Sequence, residues 1–210
     1  MRFEQLVAAV VHDLKNQLQA LLDYEQEALA RIPKRYHSHL RPILQRTTRL
    51  KNDTMQMMSL FSMEQNQQFP MDDAWPFDTV TDAIEATSLQ FPTLQFENRI
   101  DENSQGFYNE NLLQLALVTL ITNSAQAGAS EVTISADDQA GLTLTVEDNG
   151  HGFDPRVLDG EKNTTKNEGT GLGLYFVQLI AERHGNDQQR GRVEYGNRPQ
   201  GGAFVSIYLP

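Results

Sequence analysis

Apolar residues in the first third of the chain recur every three or four positions, which is the spacing of one face of an α-helix. The pattern runs from residue 3 to about 30, is interrupted by "PKR" at 33–35, and resumes from about 39 to 63. It predicts two long helices joined in a hairpin. Pro42 fits this prediction if it lies in the first turn of the second helix, where its missing N–H would have no partner anyway.

The apolar stripe of this hairpin is wide. At 100° per residue, the first helix gathers on one face Val7, Val10, Leu14, Leu18 and Leu21. One neighbouring helix does not cover such a stripe, so we predict that two copies of the chain pair through residues 1–66 into a four-helix bundle. The alternative is a hairpin that packs against its own second domain.

The opposite, polar face of the first helix carries His12, with Asp13 beside it and Asn16 one turn further on. A carboxylate next to a histidine can take the proton of one ring nitrogen and so make the other more nucleophilic. An amide at the position of Asn16 could orient a water molecule. An exposed histidine beside an aspartate is also an ordinary surface feature, so the interpretation of these three residues depends on the rest of the chain.

The hydrophobic pattern changes after a polar, proline-bearing segment, "QNQQFPMDDAWP" at 65–76, which we interpret as a linker. Beyond it the sequence predicts helices at about 78–90, 109–127 and 171–184, and strands at 94–100, near 107, and at 131–136, 142–148, 191–196 and 203–209. These elements indicate an α+β sandwich. We therefore predict two domains, residues 1–66 and 67–210.

Composition narrows the classes of function. Residues 1–66 carry nine Lys and Arg against seven Asp and Glu, whereas residues 67–210 carry eight against twenty-one. So acidic a second domain disfavours nucleic acid as a direct partner. The absence of cysteine excludes thiol catalysis and thiolate zinc sites, and no apolar run approaches 18 residues. We therefore expect a cytoplasmic protein without a membrane segment.

Two glycine-rich stretches indicate a nucleotide site. In "VEDNGHGF" at 146–153 a strand delivers Asp148 to its end, and Gly150 and Gly152 then allow the backbone to turn and approach a ligand closely. In "NEGTGLGLYFVQLIAERHG" at 167–185, glycines precede a helix whose first N–H groups can hold phosphate. A dinucleotide-binding loop would follow a strand directly, and a P-loop needs Gly-Lys-Ser/Thr, which the chain lacks. The sequence therefore predicts a nucleotide site of another design.

The helix "NLLQLALVTLITNSAQAG" contains Asn123 in a nearly continuous apolar setting. We expect this amide to be buried or nearly so and therefore to need partners. Its oxygen is a suitable ligand for Mg²⁺ that bridges nucleotide phosphates.

The order of these motifs resembles a sensor histidine kinase of two-component signalling. "HDLKN" at 12–16 resembles the H box of that family, "LITNSAQA" at 120–127 its N box, "VEDNGHGF" its G1 box, "EGTGLGLYFVQLIAERHG" its G2 box, and "GGAFVSIYLP" at 201–210 its last strand. The resemblance covers nearly the whole chain. It implies a dimerising phosphotransfer hairpin followed by the ATP-binding fold, of the GHKL or Bergerat type, that gyrase and mismatch-repair ATPases share.

The resemblance also implies roles for individual residues. His12 would be the phosphoacceptor, Asp148 would accept a hydrogen bond from the adenine amino group, and Asn123 would coordinate Mg²⁺. Gly150 and Gly152 would shape the purine pocket. The triphosphate would be covered by Gly169, Thr170, Gly171, Leu172 and Gly173. The implied activity is autophosphorylation by ATP, followed by transfer to an aspartate of a response-regulator receiver domain, with dephosphorylation of that partner as an additional activity.

Two positions depart from the family pattern, and two alternatives remain open. Thr119 stands where the N box commonly has its first asparagine, and Gln126 stands where it commonly has a basic residue. One alternative is a histidine phosphotransfer module with a degenerate ATP domain. The other is a serine kinase of the anti-sigma type on the same fold.

Overall fold

The computed structural model describes residues 3–64, 70–139, 141–158, 172–186 and 188–210. The chain divides into two compact units, Met1–Gln67 and Gln68–Pro210. Among the described residues, no helix combines the length and the apolar character needed to cross a lipid bilayer.

The first unit is a helical hairpin. Helix α1 spans Phe3–Arg31, a single 3₁₀ turn spans Lys34–Tyr36, and helix α2 spans His37–Glu64. Their interface buries Leu18 and Leu22 of α1. Polar contacts also join the two helices, because Thr47 Oγ1 donates to Glu25 Oε1 at 2.8 Å and Lys51 Nζ donates to Gln19 Oε1 at 2.6 Å. The two long helices predicted from the apolar spacing are therefore present.

The predicted place of Pro42 is wrong. Helix α2 begins at His37, directly after the 3₁₀ turn, so Pro42 is its sixth residue and lies beyond the first turn. The ring removes one intrahelical hydrogen bond there, the one that would end on the carbonyl of Ser38. The helix begins earlier than predicted because the His37 ring donates from Nε2 to the Ile32 carbonyl at 2.9 Å, which ties the start of α2 to the end of α1.

One hairpin covers only one flank of its apolar stripe. Among the described side chains of the two helices, those of Leu14, Leu21, Ile43 and Leu50 stay 40 to 54% exposed. Leu14 and Leu21 are seven residues apart and so lie on one line along α1, next to the line that contains the buried Leu18 and Leu22. Of the described residues of the predicted stripe, Leu18 is therefore covered within a single chain, whereas Leu14 and Leu21 stay exposed.

The second unit is a mixed α/β sandwich. Its elements are β1 (Asp72–Ala74), α3 (Pro76–Ser88), β2 (Gln95–Asn98), β3 (Gly106–Tyr108), α4 (Glu110–Gln126), β4 (Glu131–Asp137), β5 (Leu142–Asp148), α5 (Pro155–Leu158), α6 (Leu172–Arg183), β6 (Arg192–Asn197) and β7 (Ala203–Leu209). Five strands form a sheet in the order β2-β4-β5-β7-β6, in which only the β2–β4 pair is parallel.

Helix α4 lies at the centre of the second unit, between α3 and α6 and against the sheet. Its residues Leu113, Leu117 and Ile121 are completely buried. Strand β5 alternates strictly, with every second side chain from Leu142 to Asp148 buried, as expected for a strand that has one face on a core. This alternation carries Asp148 to the inner face at the end of the strand.

The first strand of a small second sheet lies inside the segment predicted to be a linker. Strand β1 pairs antiparallel with β3, where Ala74 is opposite Gly106. The neighbouring Tyr108 is buried and its hydroxyl bonds to Thr79 Oγ1 at 2.8 Å. Burial raises the pKa of Tyr108 to about 12. The predicted linker is therefore too long at its C-terminal end, because residues 72–76 belong to the second unit.

Candidate functional site

The centre of the candidate site is the carboxylate of Asp148, of which only 6% is exposed. Its Oδ1 accepts the backbone N–H of Gly150 at 2.8 Å and that of Ala203 at 3.2 Å. Its Oδ2 accepts the hydroxyl of Ser124 at 2.8 Å. A buried carboxylate is costly unless donors compensate it, and these donors also fix the direction in which its remaining lone pair points.

The backbone after Asp148 packs so closely at Gly150 and Gly152 that no side chain fits at these two positions. A Cβ on Gly150 would lie 2.8 Å from the Ala127 carbonyl oxygen. Gly152 has φ of +75°, a region that favours glycine, and a Cβ there would lie 2.6 Å from Asn197 Oδ1. The loop 149–153 therefore turns tightly against the end of α4 and the β6–β7 hairpin.

Two residues of the β6–β7 hairpin fasten this loop, and sequence reasoning missed both. Asn197 holds both backbone polar groups of Phe153, since its Oδ1 accepts from the N–H at 2.6 Å and its Nδ2 donates to the carbonyl at 3.0 Å. Arg198 donates from Nη1 to the Asp148 carbonyl at 2.9 Å and pairs with Glu147 at 3.2 Å. Both residues follow the glycine loop by more than 40 positions and resemble an ordinary turn, so the sequence carried no local signal for them.

The prediction that Asn123 is buried is wrong, because its side chain is exposed on the last turns of α4. The residue that faces it on α6 is Gly173, whose hypothetical Cβ would lie 3.1 Å from Asn123 Nδ2 and 3.3 Å from Thr119 Cγ2. A glycine has no side chain to cover the amide, so the apolar surroundings seen in the sequence do not enclose it. Asn123 and Gly173 are nevertheless brought together, as a shared site requires.

The hydroxyl of Thr119 bonds within its own helix. The residue is buried, and its Oγ1 donates to the Leu115 carbonyl at 2.8 Å. The methyl group of Thr119 faces the first turn of α6, beside Gly173. Threonine at this N-box position therefore contributes packing between α4 and α6.

Several of the predicted site residues lie outside the described residues. Gly169, Thr170 and Gly171 are not described, and Leu172 is described only as the first residue of α6. His12 belongs to α1, but its side chain is not described. Asp13 and Asn16 are exposed on α1, in the first unit. The structure thus groups Asp148, Gly150 and Gly152, and separately Asn123 with Gly173.

His184 joins the end of α6 to the start of α4. Its ring is 5% exposed, Nδ1 donates to the Ile180 carbonyl at 2.7 Å, and Nε2 accepts the N–H of Asn109 at 3.0 Å. Asn109 in turn caps α4, because its Oδ1 accepts the N–H of Leu112 at 2.9 Å. Burial lowers the pKa of His184, and the hydrogen bond to the Ile180 carbonyl opposes that shift. The neutral ring is the form that this pair of bonds requires.

The strand-end carboxylate, the two constrained glycines and the amide-bearing helix all lie in a segment that matches a known family. The family described as histidine kinase-, DNA gyrase B-, and HSP90-like ATPase matches residues 108–210, which include every described residue of the site. Residues 108–210 of the second unit form a domain of this ATPase family. The elements from α4 to β7 lie within the match.

Relatives over nearly the whole chain are sensor kinases. The tetrathionate sensor histidine kinase TtrS of Salmonella typhimurium is 27% identical over 98% of this chain and 37% of its own length. The signal transduction histidine-protein kinase AtoS of Escherichia coli is 25% identical over 98% of this chain and 34% of its own length. The resemblance to sensor histidine kinases that the motifs indicated is confirmed. The chain spans about a third of the length of these curated relatives.

Solved structures agree with the ATPase domain. The ATP-binding domain of PrrB from Mycobacterium tuberculosis is 26% identical, with a TM-score of 0.54, over 67% of this chain and 96% of that chain. The catalytic domain of the histidine kinase ThkA gives a TM-score of 0.57 over 67% of this chain and 95% of that chain. At 18% identity, the second likeness supports the fold alone.

Proposed function

We propose that this chain is an ATP-dependent protein histidine kinase that autophosphorylates His12 and passes the phosphoryl group to an aspartate of a response-regulator receiver domain. The observation that carries the proposal is the Asp148 carboxylate, which is buried at a strand end and oriented by Gly150, Ala203 and Ser124 within an ATPase-family domain. A carboxylate fixed in this way is suited to accept the amino group of adenine. A domain that had lost its nucleotide would have no need to keep it.

The ATP site follows from the elements around Asp148. The loop with Gly150 and Gly152 would lie close to the purine, because no Cβ stands between backbone and ligand. The residues from Gly169 to Gly173, which the family resemblance implies over the triphosphate, and the first turn of α6 would hold the phosphates with backbone N–H groups. Catalysis of phosphoryl transfer depends mainly on positioning the phosphate and neutralising its negative charge, and backbone N–H donors can do both.

Mg²⁺ is the metal that this site fits. Asn123 is exposed beside the first turn of α6, and its amide oxygen is a hard ligand. Among the described residues, no cluster of three His, Cys, Asp or Glu side chains could hold a metal. A single protein ligand suits Mg²⁺ in nucleotide sites, where phosphate oxygens and water complete the coordination. When bound, the ion would neutralise charge on the transferring phosphate.

The chemistry at the hairpin would use three neighbours on the polar face of α1. One ring nitrogen of His12 would attack the γ-phosphorus of ATP, ADP would leave, and the proton of the other ring nitrogen would pass to Asp13. Asn16 would orient water for the hydrolysis of the phosphorylated partner. We further propose a homodimer through residues 1–66 and a cytoplasmic location for this part of the protein.

The deciding experiment is incubation of the chain with γ-labelled ATP and Mg²⁺, followed by acid and base treatment of the labelled protein. We expect a label that acid removes and base leaves, because a phosphoramidate has that stability and a phosphoserine the reverse. His12→Gln should abolish the label while ATP affinity, measured by calorimetry, stays the same.

Each other outcome selects a rival. An acid-stable, base-labile label would favour the serine kinase of the anti-sigma type. A wild-type chain that binds no ATP at millimolar concentration would favour a phosphotransfer module with a degenerate ATP domain. Label that persists on the His12→Gln protein would show that the acceptor is another residue.

A further inference from the structure

We propose that Ser124 is a positioning residue that makes the nucleotide site selective for purines with a 6-amino group over those with a 6-keto group. The inference rests on the proposed function, because it assumes that Asp148 faces the purine. It concerns a residue that none of the motif-based roles includes. Ser124 acts through Asp148, whose Oδ2 accepts its hydroxyl at 2.8 Å.

The hydroxyl of Ser124 has turned away from its own helix. A serine or threonine inside a helix commonly donates back to the carbonyl four residues earlier, and Thr119 of the same helix does so to Leu115. Ser124 instead donates its one proton across the core, to the end of β5. The Asp148 carboxylate therefore receives a hydrogen bond that a helical serine usually gives to a carbonyl of its own helix.

The pair presents only acceptors to a ligand. Within the described part of the chain, Oδ1 of Asp148 already accepts from Gly150 and Ala203, so both of its lone pairs are used. Oδ2 has one lone pair beyond the bond from Ser124, and Ser124 Oγ, having donated its proton, has only lone pairs left. A 6-amino group can donate to this surface. A 6-keto oxygen is itself an acceptor, so it would face only the lone pairs of Asp148 and Ser124, with no hydrogen-bond donor between them.

The Ser124 bond also fixes the carboxylate against rotation. Without it, Oδ2 is held only through Oδ1, and the carboxyl group can turn or recruit a water molecule that would donate to a keto oxygen. We therefore expect loss of the hydroxyl to weaken ATP binding more than inosine triphosphate binding. Both ligands carry the same triphosphate, so the ratio of their affinities isolates the purine edge.

The test compares calorimetric affinities for ATP and inosine triphosphate in the wild type, Ser124→Ala and Ser124→Thr. We expect Ser124→Ala to lower the ratio of the affinity for ATP to the affinity for inosine triphosphate about 10-fold, which is the effect of one hydrogen bond to a charged group. Ser124→Thr keeps the hydroxyl and should keep the wild-type ratio. Ser124→Cys, which keeps the volume but offers a weak donor, should lower the ratio in the same direction. It carries the test if the alanine variant fails to fold.

Ser104 supplies the matched control. It is also buried, and its hydroxyl donates to Asp138 Oδ2 at 2.7 Å, a bond of the same kind to a carboxylate that is not part of the site. Ser104→Ala should leave the ratio unchanged.

The outcomes separate the two proposals. If Ser124→Ala lowers both affinities equally, or neither, Ser124 has a structural role only and the inference is overturned while the proposed function stands. A wild-type chain that binds neither nucleotide would overturn the proposed function itself.

Discussion

Asp148 is a buried carboxylate whose orientation is fixed by its neighbours. The residue lies at the last inward position of β5, and the backbone groups of Gly150 and Ala203 hold one of its oxygens. The backbone at Asp148 is also closely packed, because a Cβ on Gly202 would lie 1.9 Å from the Asp148 carbonyl oxygen. The carboxylate is thus prepared before any ligand arrives.

We expect Asp148→Asn to weaken ATP binding by at least about 10-fold. The amide oxygen can still accept from Gly150 and Ala203, and the Ser124 hydroxyl can rotate to accept from the new NH₂, so the fold should survive. Toward adenine, however, a donor would face a donor, which forfeits a charge-assisted hydrogen bond worth about 1.4 kcal/mol or more. Titration calorimetry measures the change.

Asp138→Asn is the control for this prediction, because Asp138 also accepts from a buried serine but is not part of the site. Its ATP affinity should equal that of the wild type. An unchanged affinity in Asp148→Asn would refute the assignment of Asp148 to the adenine edge.

At the residue scale, the sequence was enough to predict residues that a local turn requires, but not residues whose role depends on contacts distant in the chain. Gly150 and Gly152 were recognisable because a tight turn after a strand leaves few alternatives to glycine. Asn123 was placed correctly on its helix, but its burial was misjudged, since the residue opposite is a glycine 50 positions away. The role of Asn197 could not be predicted for the same reason, because its contact with Phe153 spans 44 positions.

Among the elements, α4 depends on α6 for its start. The Asn109 N–H, at the N-cap of α4, has the Nε2 atom of His184 as its acceptor, and both groups are buried. Since α4 carries Asn123 and Ser124 at its other end, this bond helps to fix the helix on which half of the site is built. Only a neutral imidazole can accept at Nε2 while it donates at Nδ1.

We predict that the second unit loses stability as the pH falls below 6.5. The pKa of folded His184 is lowered by burial, so the unfolded chain binds a proton first. The contribution of His184 to the free energy of unfolding is therefore complete above the ordinary histidine pKa of about 6.5, and it is lost as the pH falls through the folded value. Urea unfolding from pH 7.5 to 5 measures it, followed by the fluorescence of Trp75, the single tryptophan of the chain.

His184→Leu separates this effect from the titration of other groups. At pH 7.5 it leaves the buried Asn109 N–H without its acceptor and should cost about 1–3 kcal/mol. Toward pH 5 the difference between wild type and variant should shrink. A difference that stays constant with pH would mean that the ring is not held neutral in the folded chain.

Element boundaries were predictable where the apolar period is long and regular, as in α1, α4 and β5. Strand β1 was missed because three residues, two of them aspartates, give no alternation to detect, and it exists only through its pairing with β3. The start of α2 was misplaced because the 3₁₀ turn before it and the contact of His37 with Ile32 leave no trace in the spacing of apolar residues. Short elements of this kind depend on partners more than on their own residues.

For the whole molecule, the half-covered stripe of the hairpin predicts a dimer. Leu14 and Leu21 on α1, with Ile43 and Leu50 on α2, keep 40 to 54% of their surface exposed. We expect the full chain to be a dimer at tens of micromolar and Leu21→Glu to shift it to monomer, because a charge would be buried at the centre of the interface. Light scattering gives the mass.

Ala20→Glu is the control for the dimer prediction. Ala20 is exposed and lies seven residues after Asp13, so it shares the polar line of α1 and not the line of Leu14 and Leu21. The variant adds the same charge one position away from Leu21 and should leave the dimer intact. A wild-type chain that scatters as a monomer would contradict the prediction.

The final prediction concerns the two directions of phosphate flow between the ATPase domain, the hairpin and the receiver partner. Asp13→Asn should reduce autophosphorylation by roughly 10² to 10⁴, the range for a lost general base, because the amide cannot take the proton of the His12 ring. Asn16→Ala should leave autophosphorylation largely intact and slow the dephosphorylation of the partner, since the amide would position only the attacking water. Both rates follow from labelled phosphate on the chain and on the receiver domain. If Asn16→Ala abolishes both reactions, the two neighbours of His12 do not divide the work, and Asn16 instead supports the helix surface that both reactions share.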